Sequence, residues 1–186
     1  KAVGESVENP IKDYRNNIGG LIQILAGMQK HEVSNLIFSS CCTVYGVAKE
    51  LPVTENTPIE LAESPYGTTK IMGEELIQDF IQYQSIKAVL LRYFNPVGAH
   101  PSALIGELPN GVPSNLVPYI TQTAAGIREQ LTVHGNDYNT EDGSCIRDYI
   151  HVVDLAKAHV KALAYAETMK DKVEVFNVGT GNGTSV

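Results

Sequence analysis

An α/β fold with a parallel sheet and covering helices is predicted by three features of the sequence. Short apolar segments over residues 35–39 and 87–91 have the length and composition of strands that are buried on both faces. Amphipathic segments of helical period precede both of them, so that helix and strand alternate along the chain. The length of 186 residues corresponds to one large domain or to parts of two, and the hydrophobic content of 43% is typical of a globular chain.

Two helices are predicted in the first half of the chain. The first covers residues 10–30, where apolar side chains recur at helical spacing. These side chains are Tyr14, Ile18, Leu21, Ile22, Leu25 and Met28. The second covers residues 65–84, because Ser64 can cap a helix and Pro65 suits its first position. Its inward side chains are expected to be Leu76, Ile77 and Phe80, and a polar loop over roughly 46–63 precedes it.

The second half of the chain is more irregular. Residues 96–114 contain four of the nine prolines, which predicts a connection without regular structure. The remaining elements are a helix over residues 115–129, a short strand over 131–133, a turn-rich segment over 136–144, a helix near 152–168 and a strand over 173–178.

Charge and cysteine usage exclude several classes of protein. The net charge of −7 and the lack of a basic run argue against a nucleic-acid partner. Cys41, Cys42 and Cys145 make an odd number without a Cys-x-x-Cys pair, so neither a disulfide framework nor a structural zinc site is expected. No apolar run is long enough for a membrane span. A cytoplasmic, reducing location without a membrane partner or a metal is therefore expected.

Tyr66 and Lys70 are the strongest candidate catalytic pair. They stand four residues apart on the predicted helix and hence on one face of it. A free tyrosine has a pKa near ~10, which makes it a poor base at neutral pH. A fixed cation beside the phenol favours the phenolate and brings the pKa toward the working range. The alternative is a half-buried tyrosine beside a solvated lysine.

Polar side chains also follow both buried strands. Ser39, Cys41 and Thr43 follow the first strand, and Tyr93 and Asn95 follow the second. In open parallel sheets, ligands bind beyond the carboxyl ends of the strands. These residues could therefore approach a cofactor or a sugar, or they could simply form an ordinary strand exit and a turn before proline.

Three further segments have both a binding and a structural interpretation. Arg147 could bind a phosphate through two parallel hydrogen bonds, or it could form an ion pair with its neighbour Asp148. Asn115 could direct its amide toward an anion at a helix start, or it could cap that helix. Residues 179–183, with glycine at alternate positions, favour a turn over a nucleotide loop. His151 and His159 are interpreted as packing or surface groups.

Several of these segments together resemble the UDP-galactose 4-epimerase family of the extended short-chain dehydrogenases. The resemblance rests on Lys1-Ala-Val-Gly-Glu-Ser6, Thr43-Val-Tyr-Gly46, Ser64-Pro-Tyr-Gly67 with Lys70, the stretch from Leu91 to Ser102, and Arg147-Asp-Tyr-Ile-His-Val152. It implies the C-terminal part of a Rossmann-type doubly wound parallel sheet over residues 1–97. Residues 98–186 would be part of a smaller substrate-binding domain, some elements of which return to the sheet.

The resemblance implies an NAD-dependent interconversion of UDP-galactose and UDP-glucose. Tyr66 would be the base, Lys70 would lower its pKa, and Cys41 and Thr43 would complete the catalytic group. Cofactor contacts would come from Lys1, Asn16, Ser39, Tyr66, Lys70 and Tyr93. The UDP-sugar would be held by Asn95, Asn115, Leu116, Thr132, His134 and Arg147, with Arg147 on the diphosphate.

The sequence departs from the family pattern at three positions. Cys41 stands where the catalytic serine is expected, and a thiol is the weaker hydrogen-bonding partner. His134 stands in place of an aromatic residue against uracil, and Leu108 replaces an aspartate. Cys41 leaves a non-catalytic nucleotide-sugar binder as an alternative. Another nucleotide-sugar enzyme, such as a 4,6-dehydratase, is less supported because Cys42 and Thr43 stand where it would carry acids.

The abrupt ends of the sequence indicate an internal fragment of such a protein. The glycine-rich pyrophosphate loop would precede Lys1, so the 186 residues by themselves are expected to be inactive and to bind NAD poorly. The resemblance further implies that the full-length protein is a homodimer that pairs through helices 10–30 and 65–84.

Overall fold

The computed structural model describes residues 3–185, which form two compact units. Unit 1 extends to Tyr93 and includes Lys157–Val178, and unit 2 comprises Phe94–Ala156 and the residues from Gly179 onward. Within residues 3–185, no helix combines the length and the apolar character that crossing a bilayer requires. Over the same range, no three or more side chains of His, Cys, Asp or Glu converge as metal ligands would.

Unit 1 begins with a nearly continuous helical segment. Its parts are α1 (Val3–Glu8), α2 (Pro10–Tyr14), a π-helical turn (Arg15–Gly19) and α3 (Gly20–Lys30). The predicted helix over residues 10–30 is confirmed, and Leu21, Leu25 and Met28 are buried on its inner face. Ile22, which belongs to the same apolar pattern, lies off that face with its side chain 46% exposed.

Three parallel strands form the sheet of unit 1, in the order β1, β2, β5. They are β1 (Asn35–Cys41), β2 (Lys87–Tyr93) and β5 (Val173–Val178). The helices that accompany them are α4 (Pro65–Gln82) and α6 (Val152–Thr168), the latter contributing to unit 1 from Lys157 onward. The parallel sheet is confirmed, as are the helix predicted near 152–168 and the strand predicted over 173–178.

Helices cover both faces of this sheet. Successive side chains of β2 point to opposite sides and are all apolar from Ala88 to Leu91, so each face presents apolar surface for a helix to bury. Ala88 and Leu90 pack with the α3 and α4 side chains Leu21, Leu25, Ile77 and Ile81. Val89 and Leu91 pack with Ala162 and Ala166 of α6. This arrangement agrees with the expected Rossmann-type architecture, whose strands read as continuous apolar runs.

Unit 2 contains a smaller sheet and one further helix. Its strands are β3 (Asn95–Val97), β4 (Ile146–His151) and β6 (Gly183–Ser185), with β4 parallel to β3 and antiparallel to β6. Helix α5 covers Leu116–Ala124 and is shorter than predicted. It ends there because Gly126 adopts a left-handed φ of 72°, which is typical of the residue after a helix cap. The strand predicted over residues 131–133 is wrong, because that exposed segment pairs with no strand among the described residues.

The glycine-containing segment 179–183 forms a turn around a carboxylate. The backbone amides of Thr180 and Gly181 donate to Asp148 at 2.9 Å each, and the Thr180 hydroxyl donates to the same side chain. Gly179 leaves no room for a side chain, since an added Cβ would come within 2.5 Å of Asp148 Oδ2. The turn interpretation is confirmed, and the amides that a phosphate would need already have an acceptor.

Candidate active site

The carboxyl ends of β1 and β2 bring the predicted catalytic segments to one edge of the sheet. In the strand register, Ser39 lies opposite Leu91, and Cys41 lies opposite Tyr93. A 3-10 turn over Cys42–Tyr45 then carries the chain away from β1. Because parallel strands end at the same edge, Cys41 and Tyr93 are neighbours although they are far apart in sequence.

Helix α4 begins at this edge and carries Tyr66 and Lys70 on one face. The Ser64 side chain accepts from the Gly67 amide at 3.2 Å, as the capping prediction requires. Lys70 Nζ lies 5.5 Å from the centroid of the Tyr66 ring and donates to the Ser39 carbonyl at 2.7 Å. Both side chains are partly buried. The Lys70 amine is therefore held against β1 by a hydrogen bond and is not a freely solvated charge.

Gly67 sets how closely α4 approaches the turn after β1. An added Cβ there would meet Ala62 Cβ at 2.8 Å and the Thr43 side chain at 3.5 Å. The Thr43 hydroxyl oxygen is buried and has no hydrogen bond of ordinary geometry within the described residues. Thr43 therefore lies in the cluster, as predicted, with a polar atom that a ligand or the neighbouring thiol can engage.

Cys41 carries the negative charge of this cluster. A hydrogen bond from Cys42 lowers the pKa of the Cys41 thiol, and burial opposes this. Thr43 and the positive charge of Lys70 lower it further, and the resulting pKa is about 6. At neutral pH the thiol is thus largely a thiolate, which is the nucleophilic form.

Tyr66 responds in the opposite direction. Burial raises its pKa well above the ordinary value, and the charge of the hydrogen-bonded Cys41 raises it further. In the chain by itself the net shift of the Tyr66 pKa is therefore upward, away from the working range, and the lowering influence expected of Lys70 stays a prediction. The phenol keeps its proton because the adjacent thiol gives its proton up first, so the two groups titrate as a pair.

The charge on Cys41 predicts an unusual pH dependence of alkylation. We expect the rate of Cys41 modification by iodoacetamide to rise with pH, with a midpoint near pH 6. In Cys42→Ala the midpoint should be higher, because that variant loses the hydrogen bond that lowers the Cys41 pKa most. Mass spectrometry of the Cys41 peptide at each pH measures this. Cys145→Ser is the matched control and should leave the midpoint in place. Equal midpoints in wild type and Cys42→Ala would contradict the assignment.

The same shift has a consequence for stability. The folded thiol has the lower pKa, so between pH 6 and 9 the unfolded chain binds more protons than the folded one. The contribution of Cys41 to the free energy of unfolding is accordingly present above pH 9 and is lost as the pH falls through 6.

Ser39 and Tyr93, predicted to contact the cofactor, both lie at this edge. Ser39 Oγ is hydrogen-bonded to His159 Nε2 at 3.0 Å, and its carbonyl accepts from Lys70. The Tyr93 ring lies 6.2 Å from the His159 ring, and burial raises the Tyr93 pKa. His159 is a packing group, as interpreted from the sequence, and it orients the Ser39 side chain.

Asn16 and Lys1 were the other two predicted cofactor contacts. Lys1 lies outside the described residues. Asn16 is exposed, whereas its neighbour Asn17 donates through Nδ2 to Thr69 Oγ1 of α4 at 2.9 Å. Asn17 rather than Asn16 is thus directed toward the helix that carries Tyr66. Both residues lie in the π-helical turn, and such turns are frequent at functional sites.

Unit 2 contains a cavity of about 720 Å³. All six residues predicted to hold the substrate line it, namely Asn95, Asn115, Leu116, Thr132, His134 and Arg147. Its size is within the ~300–1,000 Å³ range that is usual for small-molecule sites. The sequence did not identify Glu107 and Tyr149, which also line it.

The polar groups of this cavity have directed partners. Asn95 Nδ2 donates to the Asp148 carbonyl at 3.1 Å. Asn115 stands at the N-cap of α5, but its side chain accepts no hydrogen bond from the first turn of that helix; its Nδ2 donates to Glu107 Oε1 at 3.4 Å. Arg147 is exposed and donates through Nη1 to the Ile146 carbonyl at 2.9 Å. The ion pair of Arg147 with Asp148 is not formed, since the Asp148 carboxylate accepts from the 179–183 turn.

Comparisons with known proteins agree on the family. The model of the NAD dependent epimerase/dehydratase family matches residues 1–179. UDP-glucose 4-epimerase 2 of Arabidopsis thaliana is 56% identical over 187 residues, and human UDP-glucose 4-epimerase is 53% identical over 189. In each case the match covers 100% of this chain and 53% of the relative. The chain thus spans about half the length of the curated relatives that it matches.

Solved structures give the same result. The UDP-glucose 4-epimerase from Bifidobacterium longum, in complex with NAD+ and UDP, matches with a TM-score of 0.92 and 51% identity. The enzyme from Stenotrophomonas maltophila, with bound NAD and formylated UDP-arabinopyranose, matches with a TM-score of 0.94 and 49% identity. Each match covers 100% of this chain and 55% of the other. With its parallel sheet, its Tyr66–Lys70 pair and its cavity, the chain belongs to the NAD dependent epimerase/dehydratase family.

Proposed function

We propose that the full-length protein is a UDP-glucose 4-epimerase that interconverts UDP-galactose and UDP-glucose with NAD. One observation carries the proposal. Tyr66, Lys70 and Cys41 meet at the carboxyl edge of a parallel sheet, in a chain that is 56% identical to a UDP-glucose 4-epimerase over its whole length. Oxidation and re-reduction of a sugar carbon need a group that can remove and return a hydroxyl proton, and this cluster contains one.

The groups at this edge are suited to a nicotinamide nucleotide. Lys70 Nζ and the Tyr66 hydroxyl are hydrogen-bonding groups that match the hydroxyls of a ribose, and Lys70 is already directed by the Ser39 carbonyl. Ser39 and Tyr93 would line the same site. When bound, NAD supplies the acceptor and donor of hydride.

The proton moves through two side chains in this proposal. Tyr66 Oη takes the proton of the sugar 4-hydroxyl as its own proton passes to the Cys41 thiolate, with which it is hydrogen-bonded. The return step runs in the reverse direction, so that each group ends in its initial state. Cys41 thereby fills the role that the family assigns to serine, with the difference that it is already ionised at neutral pH.

The cavity of unit 2 is proposed to hold the UDP-sugar. Arg147 would bind the diphosphate, because a guanidinium forms two parallel hydrogen bonds with phosphate oxygens. Asn95 and Asn115 would donate to the sugar or the phosphates, while Leu116, Thr132 and His134 would contact the nucleoside. Glu107 would hold the Asn115 amide in position through the contact described above.

A second candidate function is nucleotide-sugar binding without turnover. The high Tyr66 pKa and the replacement of serine by Cys41 favour it. Assays of UDP-galactose conversion by the full-length protein and by Cys41→Ser separate the two. We expect the wild type to turn over and Cys41→Ser to remain within about tenfold of it, since a serine can relay the same proton. Turnover by Cys41→Ser alone would establish the binding function for the natural chain.

We also propose a homodimer in which helical residues 10–30 and 65–84 pair with their copies. The support is a set of exposed apolar side chains on these helices: Ile11, Ile22, Ile24 and Met72, exposed by 59, 46, 55 and 39%. Contiguous exposed apolar surface is typical of a protein–protein interface. Sedimentation of the full-length protein tests this homodimer.

We propose a cytoplasmic location for the protein, which fits its three free cysteines.

A further inference from the structure

We propose that Glu74 and Arg92 form a buried positioning pair that fixes the Tyr66–Lys70 face of α4 against the ends of β1 and β2. This inference rests on the proposed function and names positioning residues for it. Glu74 is 0% exposed and Arg92 is 4% exposed, so both charges are removed from water. Neither residue was singled out in the sequence.

A single carboxylate joins three elements of unit 1. Arg92 on β2 donates to Glu74 through Nε at 3.0 Å and through Nη2 at 2.6 Å. Ser40 on β1 donates to the same carboxylate from its hydroxyl. Glu74 itself belongs to α4. The three hydrogen bonds satisfy the carboxylate in an interior where an unpaired charge would be very costly.

Arg92 is also held from its other side. Its Nη1 donates to the Tyr45 hydroxyl at 3.0 Å, and that hydroxyl donates to Asn177 Oδ1 of β5 at 2.6 Å. The pair is therefore part of a network that includes all three strands of the sheet. A guanidinium with three hydrogen bonds to two buried partners has little freedom to rotate.

The position of this pair relates it to the catalytic cluster. Glu74 follows Lys70 by four residues and Tyr66 by eight, so all three share one face of α4. On the sheet side, Ser40 directly precedes Cys41, and Arg92 directly precedes Tyr93. Ser40 and Arg92 are partners in the strand register. The carboxylate thus ties the helix to both strands one residue before the site.

Apolar packing alone would not define this position. The hydrophobic contacts of α4 with the sheet are non-directional, so they permit small shifts of the helix along its axis. A bidentate arginine–carboxylate pair has a fixed geometry and does not. Because apolar residues of similar volume often replace a buried ion pair without loss of stability, stability does not explain why one is present here.

The test uses the full-length protein and the double variant Glu74→Met/Arg92→Met, which removes both charges at similar volume. We expect its urea midpoint to stay at or above that of the wild type. We expect kcat to fall by ~10–100-fold with KM within about twofold, since a misplacement of ~1 Å can cost this much. The midpoint of Cys41 alkylation should move away from pH 6, because both the burial of the thiol and its distance from Lys70 depend on how α4 lies against β1. Glu75→Gln, an exposed neighbour on α4, is the matched control.

If the double variant does not fold, a second variant tests the positioning role of Glu74 and Arg92. Ser40→Ala removes only the hydrogen bond between β1 and Glu74, and it should lower kcat several-fold and move the alkylation midpoint. Wild-type kcat and midpoint in a folded variant of either kind would overturn the proposal. If the wild-type protein shows no epimerase activity, the proposed function fails, but the alkylation midpoint still tests the positioning pair because it needs no turnover.

Discussion

Replacing Tyr66 with phenylalanine is expected to lower kcat of the full-length protein by ~10²–10⁴-fold, the range usual for loss of a general acid–base group. The ring of Tyr66 is partly buried and would keep its packing, so only the phenol oxygen is lost. Without that oxygen, the sugar hydroxyl has no route to the Cys41 thiolate. The affinity for the UDP-sugar should change by no more than about twofold, and steady-state kinetics measure both quantities.

Tyr83→Phe is the matched control for this prediction. Tyr83 lies at the C-terminal end of α4 and is 79% exposed, so its hydroxyl can be removed from the same helix without effect on the site. A Tyr66→Phe protein with wild-type kcat would show that the phenol does not carry the proton. A parallel loss in Tyr83→Phe would point instead to damage of the helix.

Replacing Arg147 with alanine is expected to raise KM for the UDP-sugar by ~10–100-fold and to change kcat much less. The estimate corresponds to the ~1.5–3 kcal/mol of a hydrogen bond to a charged group. Arg147 lines the cavity of unit 2 and is exposed there, so its removal leaves no buried charge behind. A KM effect without a kcat effect is typical of a group that binds ground state and transition state alike.

Arg147→Lys gives the prediction a finer test. Lysine keeps the charge but cannot form two parallel hydrogen bonds, so its KM should lie between those of the wild type and Arg147→Ala. Equal KM values in all three proteins would place the diphosphate elsewhere. Direct titration with UDP supplies an independent readout, because UDP contains the same diphosphate without the sugar.

Much of unit 1 could be predicted because its signals are local. The period of α4 and the apolar runs of β1 and β2 are readable within about ten residues. The shared face of Tyr66 and Lys70 follows from helix geometry alone, and the structure shows it. The six cavity residues came from the family resemblance, which no local pattern could have replaced.

The parts that could not be predicted depend on contacts between distant segments. The charge on Cys41 arises from Cys42, Thr43 and Lys70 acting together against burial, and Lys70 belongs to α4 whereas the other two belong to the 3-10 turn. The role proposed for Glu74 of α4 depends on Arg92, which lies 18 residues away on β2. The early end of α5 had a local signal in Gly126, whose left-handed φ follows the helix cap.

The neighbours Arg147 and Asp148 show how a strand can separate opposite charges that would otherwise neutralise each other. Successive side chains of β4 point to opposite faces of its sheet, so the acid and the base have different surroundings. Asp148 acts as a resident anion for the 179–183 turn, in the place that a phosphate takes in nucleotide loops. Arg147 lines the cavity and forms no ion pair with Asp148, so two adjacent residues of one strand serve different surroundings: the acid is enclosed by a turn, and the base faces open space.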